Sequence, residues 1–482
     1  MIRPTGVTFN TEDAALQRLF DAAEAGCRRN LTCFGDRRVL VEGGGYEKIW
    51  LETQPMGGEM YAGRDMTAAA NNQLLFMETQ RADGRLAGSI QCVDGRIVPQ
   101  FDKLQGFCFP WHALNMYWWL GEDRAYLDAL ADTLARFDGW LHRTRSLDGS
   151  GCLASFCVYD TGEDNALRYG DAPNYWVEDA PPAGFRTVPM ASMDVTSYAF
   201  AARDTLREIS RIRRDEAAER HWQAEAAQAA RAIRTRLWDD ARGACFDRDA
   251  SGRTIPILCH NTLRCMHWGS LSQEMADRFV REHLLHPDEF WTPLPLPSVA
   301  ANDPAFRNAP ENNWSGQCEG LTYQRAILAL ERYGYEPLVT QLGRKLFRAI
   351  LQGTDDGTLL FTQQFDPFTG KPSRIGMRSH APLAPDSLEP CQDAYGPTLL
   401  SVLGYLRHIH GIDQHRDQWW FSVAGGAAFT CELQQGDSLL RIDSDGSRAC
   451  ITRNGRQLWQ GACGVRVITG MDGQVLAVRA IE

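Results

Sequence analysis

Asp160, Glu163 and Asp164 fall within one short stretch, Val158 to Tyr169 (VYDTGEDNALRY), with Gly162 and Asn165 beside them. Crowded carboxyl groups can do acid–base chemistry, because a like charge next door raises a neighbour's pKa toward neutrality. Asp164 is the best framed for donating a proton, with Glu163 adjacent to it. A plainer use of the same residues is helix capping by Asp164 or Asn165. Arg168 either salt-bridges this loop or reaches a ligand.

Two long amphipathic segments flank the stretch, so it reads as a loop between helices, where catalytic groups tend to sit. Apolar residues at helical spacing predict helices over Thr11–Asn30, Met66–Asp83, Arg124–Arg145, Met193–Arg213 and Glu216–Trp238. The same spacing predicts Leu271–Leu285, Glu319–Arg332, Leu338–Leu351 and Pro397–Ile409. Phe107–Leu120 (FCFPWHALNMYWWL) is apolar nearly all round and so predicts an inner, buried helix. About a dozen helices with long connections gathered on one face predict a mainly α fold, an (α/α)6 toroid over residues 1–415. Residues 416–482 change character, with alternating apolar positions and the turn dipeptides Asp445-Gly446, Asn454-Gly455 and Asp472-Gly473. They predict a small antiparallel β domain of about five strands.

The chain has 482 residues, 44% of them apolar, and a formal charge of −11 without a basic stripe, which argues against nucleic acid as a partner. The start of the chain lacks the apolar core of a signal peptide, and no apolar run approaches the roughly 18 residues that span a bilayer. The expectation is a cytoplasmic protein with no membrane partner. Its 14 cysteines are scattered, without C-x-x-C or Cys/His ligand spacing, so no metal and no cofactor are expected. Walker, G-x-G-x-x-G, H-E-x-x-H and G-x-S-x-G patterns are absent, which removes the common nucleotide, metalloprotease and serine-hydrolase readings.

The stretch Asn312 to Tyr335 (NNWSGQCEGLTYQRAILALERYGY) has a Trp-x-Gly turn opening a helix with an RYGY tail. It resembles trehalase-like and family 63-like glycoside hydrolases. LWDDARGACFDRDASG, HPDEFWTPLPLPSVAANDPAF, FDPFTGKP and the loop GEDNALR are similar to further segments of that family, in the family's order. The resemblance spans roughly residues 40–410. It implies an (α/α)6 barrel and an inverting hydrolase of a small α-linked glycoside or oligosaccharide, with Asp164 as general acid.

Inversion takes a second carboxylate roughly 6.5–9.5 Å away to activate water. The family's base position falls on Gln363, which cannot accept a proton from water. Glu389, in DSLEPCQDAYGP, and Glu319, in WSGQCEG, are the substitutes, with Glu389 preferred. Sugar sites also need aromatic faces and hydroxyl-binding groups. Tyr46, Trp50, Tyr61, Trp176 and Trp314 fit the first need; Gln317 and Gln363 fit the second. By resemblance, Arg64 and Asp65 stand where relatives bind sugar, and Asp194 at a helix start either binds a hydroxyl or caps the helix. Glu163 and Arg168 complete the expected substrate-binding set. A small carbohydrate is the expected partner, and oligomeric state is left open. Two other classes compete: an epimerase, isomerase or lyase on the same toroid, using His112, His260, His267 or His380, and a binding protein that has lost its base.

Overall fold

The computed structural model describes residues 3–146, 149–309, 313–373 and 392–482. Glu389 and His380 lie outside them. Among the described residues twelve α-helices follow one another: α1 (Ala14–Arg29), α2 (Gln54–Met60), α3 (Met66–Glu78), α4 (Pro110–Trp119), α5 (Arg124–Arg145), α6 (Met193–Arg213), α7 (Glu216–Ala232), α8 (Asn261–Trp268), α9 (Gln273–Phe279), α10 (Gly320–Glu331), α11 (Glu336–Gln352) and α12 (Gly396–His410). No described helix is long and apolar enough to cross a membrane.

Local chemistry sets many of the ends. The Asp123 carboxylate accepts from the amides of Ala125 and Tyr126 to start α5, and the Ser192 hydroxyl accepts from Val195 to start α6. The first helix begins after Asp13, not at Thr11, because Thr11 closes a β-strand and Asp13 supplies the cap. The pattern over Glu216–Trp238 breaks at Ala232, where the chain widens into a π-turn and then pairs as a strand. Two helices escape the periodicity reading, α2 and α8. Every residue of both is buried, so no polar face marks a period.

Helices α2, α4, α6, α8, α10 and α12 pack each on the next, and α12 returns to α2, closing a ring. Helices α3, α5, α7, α11 and α1 pack outside α2, α4, α6, α10 and α12 respectively. Burial follows this order: α10 is buried from Gly320 to Leu330, whereas α7 buries only Ala226, Ala229 and Ala232. Gly320 permits the close approach of α10 and α12, since a Cβ there would stand 1.8 Å from Thr398 Oγ1.

The C-terminal region is larger than expected. Eight strands follow α12, and the N-terminal strand Thr5–Thr11 joins them. One antiparallel sheet runs in the order Thr5–Thr11, Phe429–Gln435, Ser438–Ser444, Arg448–Arg453, Arg456–Ala462. The other runs Ile412–His415, Gln418–Val423, Val465–Gly470, Val475–Ala480. Each Asx-Gly dipeptide named above does join two strands. The unforeseen hairpins turn instead at left-handed Arg416 (φ 57°) and Gly436 (φ 55°), which lack that dipeptide. The strand Thr5–Thr11 pairs in register with Phe429–Gln435, so the β region draws on both ends of the chain.

Phe9 carries this junction, buried with its ring 5.2 Å from Phe20 of α1 and 6.0 Å from Phe429. Truncating it should cost about 3–5 kcal/mol. Chemical denaturation of Phe9→Ala checks this, and a loss below about 1 kcal/mol would contradict the packing described.

Candidate active site

The acidic loop separates its three carboxylates into three environments. Asp160 accepts from the amides of Leu104 (3.0 Å) and Phe156 (2.7 Å) and pairs with buried Arg145 at 3.3 Å. Those bonds, with Gln105 N–H to Tyr159 O and Gly106 N–H to Asp160 O, zip residues 104–106 to the loop. Glu163 turns into a buried ion network. It bonds Arg168, pairs with Arg264 (2.9 Å) and meets His260 Nε2 (3.1 Å) and the Asn261 amide. Burial alone would raise its pKa, but the two guanidiniums hold it well below the usual carboxylate range.

Asp164 lies elsewhere. It is 8% exposed, and its pKa is pushed up to about 7, first by burial and then by the negative charge of Glu52, with Lys103 acting the other way. The like charge anticipated from Glu163 therefore comes from Glu52. Tyr159 and Tyr175 lie close enough to Asp164 that its charge helps raise both phenols. Their rings meet edge to face at 4.7 Å, and Tyr175 is 49% exposed. Lys103 Nζ bonds Asp102 at 2.9 Å and stands 4.8 Å from the Tyr175 ring and 5.5 Å from Trp50.

Glu319 comes in from the start of α10. Its short strand Cys318–Glu319 pairs with Gln364–Phe365, so Glu319 faces Gln364 and Gly320 N–H donates to Gln363 O at 2.8 Å. The side chain is fully buried, and neither carboxylate oxygen has a donor in bonding geometry. Burial, then Asp164, then Glu52 raise its pKa well above the ordinary value, while the nearby Gln363 amide draws it partly back. Tyr46 donates its hydroxyl to Gln363 Oε1 at 3.2 Å and meets Trp50 edge to face at 6.4 Å. Tyr46, Trp50, Gln363, Glu319 and Asp164 thus gather with Glu52, Lys103 and Tyr175, three residues the sequence reading passed over.

Other expected site residues lie apart from this group. Arg168 is buried, bonded to Glu163, Asp247 and Asp194 (2.9 Å from the last). Asp194 is buried with Arg168, Arg264 and Asn261 as partners. Arg64 pairs with Glu24 of α1, and Asp65 caps α3 through Ala68 N–H while pairing with Arg38 at 2.8 Å. Tyr61 is buried beside Cys27 and Glu24. Tyr61, Arg64, Asp65, Glu163, Arg168 and Asp194 thus each have partners within the protein. Trp314 is buried edge-on to His260 at 5.7 Å. Gln317 is buried, donating to Asn308 and accepting from Ser373. Trp176 donates its indole N–H to Ala180 O at 2.8 Å, next in sequence to Tyr175.

Residues 65–381 match the model of the mannosylglycerate hydrolase MGH1-like glycoside hydrolase domain, about two thirds of the chain. The chain belongs to the MGH1-like glycoside hydrolases. No curated protein matches it. Among solved structures, the GH63 mannosylglycerate hydrolase of Thermus thermophilus in complex with glucose superposes with TM-score 0.62 at 16% identity, covering 81% of this chain and 100% of its own. Neutral trehalase from Saccharomyces cerevisiae gives TM-score 0.54 at 12% identity, covering 78% and 74% respectively. The α-L-rhamnosidase of Dictyoglumus thermophilum gives 0.57 at 10%, covering 93% and 44%. At these identities the likeness is one of fold.

In this MGH1-like hydrolase Arg168 serves three buried carboxylates, so its loss leaves negative charge uncompensated. Arg168→Met should destabilise by about 3–5 kcal/mol. Equilibrium unfolding measures it, and a near-neutral variant would show that Arg264 alone balances the network.

Proposed function

We propose that the chain is an inverting glycosidase on an (α/α)6 toroid, the helix ring above being its inner layer, with Asp164 as general acid and Glu319 as general base. The observation that carries the reading is a pair of buried, mutually repelling carboxyl groups. One holds its proton to about pH 7, and the other is raised well above the ordinary range by burial and by the charges of Asp164 and Glu52, with the Gln363 amide beside it. Perturbed carboxyl pairs of this kind are what acid–base catalysis needs.

In this reading Asp164 gives its proton to the glycosidic oxygen as the bond to the anomeric carbon breaks. Glu319 takes a proton from the water that attacks the opposite face, so the configuration inverts. The Gln363 amide, fixed by Tyr46, lies beside Glu319 and orients that water. Glu319 takes precedence over Glu389 because its placement beside Gln363 puts a carboxylate next to the position where relatives carry the base.

The substrate class follows from which side Asp164 serves. The acid faces the leaving group, and the cation near it is Lys103, with Lys48 beyond and Trp50 between them. This suits a small α-linked glycoside whose aglycone bears a carboxylate, in keeping with the mannosylglycerate hydrolases of similar fold. The shuttle required by an epimerase or lyase finds less support. His260 is occupied by Glu163 and Thr322, His112 by Glu59, and His267 by the Arg325 carbonyl.

Proton NMR of mannosylglycerate hydrolysis should show the inverted anomer first; the retained anomer would overturn the mechanism. Asp164→Asn should lose about 10²–10⁴-fold in rate on this unactivated substrate. Glu319→Gln should abolish turnover while leaving binding intact. The pH profile of kcat/KM should be a bell. Asp164 must be protonated, so activity falls as pH rises through about 7; Glu319 must be charged, and since its own pKa is also raised, the acid limb lies above the ordinary carboxylate range and the bell is narrow. Lys103→Met should raise KM for mannosylglycerate more than for methyl α-mannoside, and equal effects would reject the anionic aglycone.

A further inference from the structure

Glu52 follows the strand Lys48–Trp50 and is buried where the acidic loop, the 104–108 segment and α10 converge. Its carboxylate accepts from Gln105 Nε2 at 3.0 Å and from Arg325 Nη2 at 3.1 Å. It presses on the loop backbone. A Cβ on Gly162, two residues before Asp164, would stand 2.0 Å from Glu52 Oε2, and one on Gly106 would stand 2.6 Å from Glu52 Cβ. Gly162 has φ +73° and Gly106 φ +68°, so both lack a side chain at a strained turn and on the face that Glu52 occupies.

We propose that Glu52 is a positioning residue for the acid: an anion clamped by Arg325 and Gln105 against Gly162, whose fixed charge keeps the proton on Asp164. The proposal rests on the reading of Asp164 as general acid. The groups around Glu52 fit the role. Arg325 and Gln105 bond it, Arg264 of α8 adds positive charge, and the Cys108 thiol is pushed up in part by its presence. On the far side stand Asp164 and Glu319, both raised by Glu52. Lys103 acts against that rise at Asp164. Burial raises Glu52 itself above the ordinary carboxylate range, and Arg325, Gln105 and Arg264 draw it partly back toward the charged form. A carboxylate held by its own donors can act on a neighbouring acid through its charge, without touching the reacting atoms.

The test is an infrared titration of the Asp164 carboxyl band, assigned by its disappearance in Asp164→Asn. In the unmodified protein its midpoint should lie near pH 7. In Glu52→Gln, which keeps the shape and removes the charge, the midpoint should fall by about one pH unit. The alkaline limb of kcat/KM for mannosylglycerate should fall with it. Glu52→Asp should restore part of the shift. Where Glu52→Gln does not fold, Gln105→Ala loosens the clamp and should move the midpoint in the same direction by less. An unchanged or raised midpoint in the variants overturns the proposal, as does a rise in KM at every pH with the limb unmoved, which would make Glu52 a direct sugar ligand. If Asp164→Asn keeps full activity, the general-acid reading fails separately, whatever the titration of the band shows.

Discussion

A guanidinium buried among three carboxylates decides which acids of the central loop are left for chemistry. Arg168 reaches Glu163 on its own loop, Asp194 on α6 and Asp247 after the hairpin strands, while Arg264 of α8 meets Glu163 and Asp194 from the other side. Such a cluster contributes little net stability, because desolvating so many charges offsets their attraction. Its effect is directional. With Glu163 drawn into the network, and with Gly162 (φ 73°) and Asn165 (φ 62°) turning the backbone on either side, Asp164 is carried toward Glu52 and Glu319. Ser315 makes the same link from the neighbouring loop, accepting from Leu167 N–H and donating to Asn165 O.

What the sequence makes legible follows from burial. Helices with one wet face, α5 and α6, have bounds that match their apolar period residue for residue. Helices α2 and α8 are dry on every side and short, so their residues carry no period to read. In the β region, hairpins with an Asx-Gly turn are visible, while those turning on Arg416 or Gly436 are not. The pairing of Thr5–Thr11 with Phe429–Gln435 depends on chain ends more than 400 residues apart, which no local pattern encodes. The site divides the same way. Asp164 and Glu319 stand in stretches rich in chemical types, and folding buries both in one group. Glu52 and Lys103 stand alone in sequence and matter only through the neighbours that folding gives them. Asp65 shows a local signal of another kind: an Asp just before a run of helix formers is a cap signal, and Asp65 forms that cap.

The glutamine at the family's base position is less anomalous once the strand pairing is seen. Glu319 faces Gln364 across one short antiparallel pair, and Gln363, just before that strand, accepts from Gly320 N–H, so Gln363 and Glu319 adjoin the same pairing. A carboxylate can leave one chain and reappear from its partner with little displacement of its charge. The Trp-x-Gly turn makes this possible. Gly316 passes so close to Arg307 that a Cβ would stand 2.1 Å from its carbonyl oxygen, and this turn delivers Cys318 and Glu319 to the edge of Gln364–Phe365. The amide left behind keeps a use, since Tyr46 fixes its oxygen and leaves its NH2 on the side of Glu319.

Asp164, Glu319 and Glu52 then form a buried group of three carboxyls whose nearby cations have other partners as well. Arg325 is bonded to Glu52, and Lys103 is bonded to Asp102. Two unit charges about 5 Å apart at an effective dielectric of about 20 repel by roughly 3 kcal/mol, about two pKa units. Repulsion of up to that size acts on Asp164 beside the larger effect of burial, and the two together raise it from 3.8 to about 7. On the proposed orientation this repulsion also couples binding to chemistry. An aglycone carboxylate that draws on Lys103 weakens a cation that opposes the proton on Asp164. The acid then holds its proton most firmly when a substrate with a poor leaving group is in place to receive it.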